Sequence, residues 1–196
     1  MIEDLEYKTP RYIGEMLLAD NTENLYGSVL DLGCGTGLFG SEVRDYCRYL
    51  EGVDFSEKML AEAAKKEVYD KLCKQDIVTY LSSSELNFDY IVSTDVFVYI
   101  GDLSDIFELI KTRSTKSGKL VFSTEEYQGD GFFLEKTGRY SHSRSYIQTL
   151  CENFDFDLDV KVQQFTLTVK VGSDLMSLKS KNNDLLDLKF LMNLKI

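Results

Sequence analysis

Apolar positions along this chain of 196 residues follow two alternating periods. Short, nearly continuous apolar runs end in an acid or in glycine, at 29–32, 49–54 and 88–95, with a further run at 119–124 and a weaker one at 69–74. Such runs suit strands buried on both faces. Between them, apolar side chains recur at helical spacing. These are Phe39, Val43, Tyr46 and Cys47, then Met59, Leu60, Ala63 and Ala64, then Leu103, Ile106, Phe107 and Ile110, then Tyr146, Ile147, Leu150 and Cys151. Ahead of the first strand, Thr9-Pro10 predicts a helix start, with Ile13, Met16 and Leu17 on one face. Repeated strand–helix alternation predicts an α/β fold with a parallel sheet. After residue 155 the pattern changes. Residues 156–170 alternate apolar and polar, as in a half-buried antiparallel strand, and 188–196 offers a hairpin partner. The polar stretch 173–187 between them predicts no structure.

The first strand runs into Asp31-Leu32-Gly33-Cys34-Gly35-Thr36-Gly37, with a helical pattern behind it. Glycines at this junction accept backbone angles costly to other residues and let a ligand lie against the main chain. The helix that follows presents free N–H groups and a positive dipole end. Two registers fit these glycines. Gly35-x-Gly37-x-x-Gly40 satisfies the dinucleotide fingerprint, a weak signal alone. The earlier register, Asp31-x-Gly33-x-Gly35-x-Gly37, includes the acid at the strand end. Asp54 ends the second strand, where a carboxylate can accept both hydroxyls of a ribose. Asp76 follows the third, where it can also cap the helix through Val78 to Leu81.

In this order the motifs resemble class I S-adenosylmethionine (SAM) dependent methyltransferases. The resemblance runs from about Tyr7 to Leu167. It implies a doubly wound, mostly parallel, Rossmann-like sheet of seven strands with an antiparallel C-terminal strand. It also implies SAM as cofactor. The residues carried over are Asp31, Gly33, Cys34, Gly35 and Gly37 of the loop, Asp54, Phe55 and Met59, Asp76 and Ile77 near the adenine, and Asp95 and Val96 at the methyl-transfer face. Residues 95–103 and 138–143 look like a narrower bacterial group of predicted methyltransferases, some fused to tetratricopeptide repeats, although no such repeat is present here. Residues 168–196 depart from that group's usual final hairpin, which leaves the last strand without a predicted place. In related enzymes the helix before the glycine loop often covers the site, and Tyr7 and Arg11 would then face ligand.

Methyl transfer needs a base only where the acceptor must lose a proton. His142, the single histidine, is a candidate, and so are Glu125, just past the fifth strand, and Tyr140. Each has a structural alternative, and for His142 that is a place at the start of the last helix. Arg139 can pair with a substrate carboxylate or with one of the chain's own acids.

The chain reads as one domain over 1–196: an N-terminal helix or lid (1–26), an α/β core (27–155) and a C-terminal hairpin region (156–196). A formal charge of −11 makes nucleic acid a poor partner, and no apolar run is long enough to span a bilayer. The start lacks the blocks of a signal peptide. Scattered Cys34, Cys47, Cys73 and Cys151 read as reduced thiols in a cytoplasmic protein, and one histidine with unpaired cysteines argues against a metal site. The expected acceptor is a small molecule or a carrier-bound acid. The Pro-Pro-aromatic signature of amino-methylating DNA enzymes is missing from Thr94-Asp95-Val96-Phe97. Two rivals stay open: an NAD-dependent oxidoreductase, and a SAM-binding protein without turnover.

Overall fold

The computed structural model describes residues 9–20, 26–83, 85–115, 118–164, 168–171, 174–177 and 188–195. Strand and helix alternate from the start: α1 (Thr9–Asp20), β1 (Tyr26–Leu32), α2 (Leu38–Val43), β2 (Cys47–Asp54), α3 (Glu57–Ala64), β3 (Lys71–Lys74), α4 (Ile77–Ser83), β4 (Tyr90–Ser93), α5 (Ser104–Arg113) and β5 (Lys119–Glu126). A short hairpin, β6 (Phe132–Leu134) and β7 (Tyr140–His142), precedes α6 (Arg144–Asn153) and β8 (Asp157–Gln164). Then come β9 (Thr168–Val171), β10 (Asp174–Ser177) and β11 (Leu188–Lys195).

The main sheet runs β3-β2-β1-β4-β5-β11-β8. Strands β1 to β5 are mutually parallel, and β11 is antiparallel to both of its neighbours. This is the seven-stranded arrangement that the resemblance implies, and it places the last strand: β11 inserts between β5 and β8, opposing Glu125 with Lys189 and Lys119 with Lys195. The 188–196 stretch does pair with its expected partner, β8. The stretch 156–170 differs from its reading as one strand. Its front is β8, whereas Thr168–Val171 leaves the sheet and pairs with β10 in a separate ribbon.

The period of two along each central strand divides its side chains between two cores. Leu30, Leu32, Ile91, Leu120 and Phe122 face one layer, packed with Phe107 and Ile110 of α5 and Ile147 and Leu150 of α6. Val29, Val92 and Val121 face the other, against Ile13 and Leu17 of α1 and Phe39 and Val43 of α2. Burial on both faces explains why these runs are nearly continuously apolar. Helix α1 thus packs by its predicted stripe, and Arg11 turns outward to Glu15 at 2.9 Å, while Tyr7 lies outside the described residues. Strand order reverses between β1 and β4, so the tips of these neighbours leave a crevice at the carboxyl edge of the sheet. Among the described residues no helix is long and apolar enough to cross a membrane.

Candidate functional site

The loop after β1 is tied sideways before it turns. The amides of Gly33 and Cys34 both donate to the carbonyl of Val53 at the end of β2, at 2.7 and 3.0 Å. Gly33 adopts φ +75°, and a Cβ there would lie 2.3 Å from Val96 Cγ2, so the loop passes directly under the segment after β4. Gly35 adopts φ +53°, and the space beside its Cα is open for 4 Å. Its amide donates to Asp54 Oδ2 at 2.9 Å, while Asp54 Oδ1 accepts from the amide of Ser56 at 2.7 Å. Asp54 therefore couples the glycine loop to the start of α3, where Ser56 is the N-cap.

These tips enclose a cavity of about 770 Å³, within the range of small-molecule sites. Its wall takes Asp31 and Gly33 to Thr36 from β1, Asp54 and Phe55 from β2, Gln75 to Ile77 from β3, and Thr94 to Val96 from β4. Pro10, Leu38, Phe39, Ser56, Met59, Tyr99, Ile100 and Arg139 complete it. Phe55 is 78% exposed, an apolar ring held at the rim of the cavity. Asp76 Oδ1 caps α4 through the amide of Thr79 at 3.1 Å, leaving the carboxylate further acceptor capacity. Asp95 holds φ +57°, a conformation that a non-glycine residue keeps only where its surroundings enforce it. Here Ser123 enforces it: its Oγ accepts from the Asp95 amide at 2.8 Å and donates to Asp95 Oδ1 at 2.9 Å.

Asp31 is the electrostatic centre. It is 1% exposed, its Oδ2 accepts the Tyr69 hydroxyl at 2.6 Å, and its Oδ1 is buried with no hydrogen-bond partner. Burial pushes its carboxyl up to about 7, Tyr69 opposes that rise, and the nearby Asp54 charge adds to it. An unsatisfied buried carboxylate oxygen costs free energy until a donor reaches it, and a cation is the best donor.

The structure thus gathers Asp31, Gly33, Cys34, Gly35, Asp54, Phe55, Met59, Asp76, Ile77, Asp95 and Val96 around one hollow. Gly37 stands apart from the wall. It precedes α2 at φ +80°, under the ring of Tyr69 and the methyl of Ala63. Burial of the Cys34 thiol in that wall raises its pKa far above the ordinary range, so it is a packed thiol and not a nucleophile. His142, Tyr140 and Glu125 are outside the wall. His142 is fully buried in β7, with Nε2 at 3.0 Å from the carbonyls of both Ile100 and Gly101, and Nδ1 at 2.6 Å from Thr124 Oγ1. Carbonyls only accept, so Nε2 carries the proton and Nδ1 takes the threonine hydroxyl. Burial lowers the pKa and keeps the ring neutral. Its neighbour Ser143 caps α6 through the amide of Tyr146 at 3.1 Å. Tyr140 packs edge-on against Phe132 at 6.0 Å. Glu125 lies 2.8 Å from Arg139. Sequence reasoning missed Tyr69 and Tyr99, which no local pattern marks as close to Asp31 or Arg139. The described residues hold no cluster suited to a metal, and all four cysteines are free.

A family model described as "Methyltransferase domain" matches residues 26–171. The chain belongs to the methyltransferase domain family. Among curated relatives, this methyltransferase-family chain is 25% identical over 149 residues to an uncharacterized methyltransferase of Schizosaccharomyces pombe, covering 65% of this chain and 52% of the relative. It is 30% identical over 114 residues to the malonyl-[acyl-carrier protein] O-methyltransferase of Erwinia pyrifoliae, covering 58% and 43%. It is 32% identical over 90 residues to the 18S rRNA (guanine-N(7))-methyltransferase of Bos taurus, covering 46% and 31%. The chain therefore spans about half the length, or less, of the curated relatives it matches. Solved structures share the fold, and two of them illustrate it. A SAM-dependent methyltransferase of Clostridium acetobutylicum superposes with TM-score 0.68 at 17% identity, covering 98% of this chain and 93% of that one. The magnesium protoporphyrin IX methyltransferase of Synechocystis, solved with bound SAM, gives 0.65 at 17% identity, covering 96% and 78%.

Proposed function

We propose that this protein is a SAM-dependent methyltransferase whose acceptor is a small molecule or a carrier-bound acid. The observation that carries the reading is Asp31 Oδ1, a buried acceptor without a donor, placed beside the open backbone of Gly35. The amino group of an amino-acid tail supplies the missing donor. A dinucleotide pyrophosphate, the ligand of the rival NAD reading, would set its negative charge against that carboxylate. Asp54 and Asp76, at the next two strand tips and on the same cavity wall, would accept from the ribose diol and the adenine amino group, and Phe55, Met59 and Ile77 would give the base apolar surface.

SAM supplies a methyl carbon already made electrophilic by its sulfonium. The chain's own residues have three tasks. Asp31, Gly33 and Gly35 hold the amino-acid end. Asp54 and Asp76 orient the nucleoside. Asp95 and Val96, fixed by Ser123 and by contact with Gly33, shape the face where the acceptor approaches. Alignment and exclusion of water are the main contributions of such a site. No base need enter the wall: His142 serves as the buried pin that joins β7 to the 100–101 turn and to Thr124 of β5.

One curated relative is named for a carrier-bound acid and another for RNA. The net charge of −11 favours the acid over the polyanion. The narrower likeness to bacterial methyltransferases sometimes fused to tetratricopeptide repeats rests on residues 95–103 and 138–143 alone. Paired calorimetric titrations test the reading: SAM binds and NAD does not, and label passes from methyl-tritiated SAM to an acceptor in a cell extract. NAD binding without SAM binding overturns it. SAM binding with no transfer leaves a binding protein in its place.

A further inference from the structure

Among the described residues lining the cavity, Arg139 is the only lysine or arginine, set against Asp31, Asp54, Asp76 and Asp95. It sits on the loop into β7, which pairs with β5, and its guanidinium lies over the Tyr99 ring, 5.7 Å from the centroid. That is the β4–β5 side of the crevice, across β1 from Asp54 and Asp76. Nε stands 2.8 Å from Glu125 Oε1, yet neither Nε nor the buried Nη2 has an aligned hydrogen-bond partner. A buried guanidinium nitrogen without an acceptor carries a desolvation cost that an incoming oxyanion removes. One fixed cation among acids matches a singly charged anion better than a phosphate dianion.

We infer that Arg139 is the acceptor-binding residue and that the acceptor is a carboxylic acid methylated on its carboxylate oxygen. The inference rests on the SAM reading above and names the chemistry of its acceptor half. A carboxylate is already ionised at neutral pH, which accords with a wall that offers no neutral base. In the transfer, a carboxylate oxygen donates a lone pair to the methyl carbon, forming an O–C bond. The C–S bond breaks, and its electron pair returns to sulfur. No proton moves, and the products are a methyl ester and S-adenosylhomocysteine. Glu125 stands beside Nε as a counter-charge, Tyr99 supports the guanidinium's face, and the unpaired N–H groups orient the acid.

The full chain is incubated with methyl-tritiated SAM and the metabolite and protein fractions of a bacterial extract, and the product is treated with mild alkali. A methyl ester releases its label as volatile methanol, whereas amine, ring or ether products keep it. The expected result is volatile label, lost by about tenfold or more in Arg139→Gln and partly kept in Arg139→Lys, with SAM affinity by calorimetry unchanged. Apart from turnover, benzoate but not benzamide raises the melting temperature of the protein saturated with S-adenosylhomocysteine, and Arg139→Gln removes that rise. Alkali-stable label overturns the inference while leaving the methyltransferase reading intact, and so does undiminished transfer by Arg139→Gln. No stabilisation by benzoate counts against it. Recovery of activity in the double variant Arg139→Gln/Glu125→Gln returns Arg139 to a charge-neutralising role and also overturns it. Absence of SAM binding, or of any transfer, is instead the failure of the parent reading.

Discussion

The hydroxyl of Tyr69 donates to Asp31 Oδ2 at 2.6 Å, while Asp31 Oδ1, just as deeply enclosed, meets no donor. Half of this carboxylate is satisfied by the protein, and half keeps an unused acceptor in a residue that lines the crevice. Replacing Tyr69 by Phe keeps the ring that packs on Gly40 and Gly37 but removes the donor that holds the carboxyl down. SAM affinity at neutral pH should fall several-fold, and Asp31→Asn should cost about 1.5–3 kcal/mol of binding. Calorimetry on both variants checks this; full affinity in Asp31→Asn would remove the carboxylate from the site.

The raised carboxyl of Asp31, at about 7, makes binding depend on pH. An ammonium favours the ionised form, so affinity for SAM should rise as pH climbs from about 6 toward 7.5 and then level off. Between the ordinary carboxylate range and 7 the native state holds a proton that the unfolded chain has released. The free protein therefore loses stability as pH rises through that window. Asp31→Asn should flatten both trends. Titrations and melts at half-unit pH steps would show it.

Asp54 carries two backbone amides before any ribose arrives, those of Gly35 and Ser56. Asp54→Ala should weaken SAM binding by about 1–3 kcal/mol, and Asp54→Asn by less, since the amide oxygen can still accept one of those bonds. Amide exchange across the glycine loop should also quicken in the alanine variant. A loop that stays protected would show that Asp54 does not hold it.

His142→Ala strands Thr124 and the carbonyls of residues 100 and 101 inside the protein. The expected cost is about 2–4 kcal/mol of stability in urea titration, with SAM affinity nearly unchanged. Because burial depresses its pKa, the native ring resists a proton that the unfolded chain accepts below about 6.5. Its contribution is present above that pH and is lost as pH falls toward the lowered native value. A catalytic histidine would instead lose turnover with little change in stability.

Much of the site was legible because its elements are local. A strand end, three glycines and a helix start announce a ligand-facing backbone wherever they occur in that order. Acids at the end of a later strand, as Asp54, or two residues past it, as Asp76 and Asp95, fall at neighbouring tips once the sheet is parallel. That is why Asp31, Asp54, Asp76 and Asp95, picked out by order along the chain, line one cavity. His142, Tyr140 and Glu125 were chosen by residue type, and type says nothing of depth: the histidine is fully buried and two carbonyls fix its tautomer. Strand β6 left no readable signal either, being only three residues long with every side chain exposed.

What the sequence determined by itself was the alternation of elements, the doubly wound class and the strand-end acids, because burial on two faces and tight turns restrict residue choice one position at a time. What the tertiary structure decided was which distant side chains meet: Tyr69 with Asp31, Arg139 with Tyr99, His142 with Thr124, and β11 between β5 and β8. Those meetings depend on how strands neighbour one another across long separations, and no local run of residues encodes a neighbour that only the completed sheet brings close.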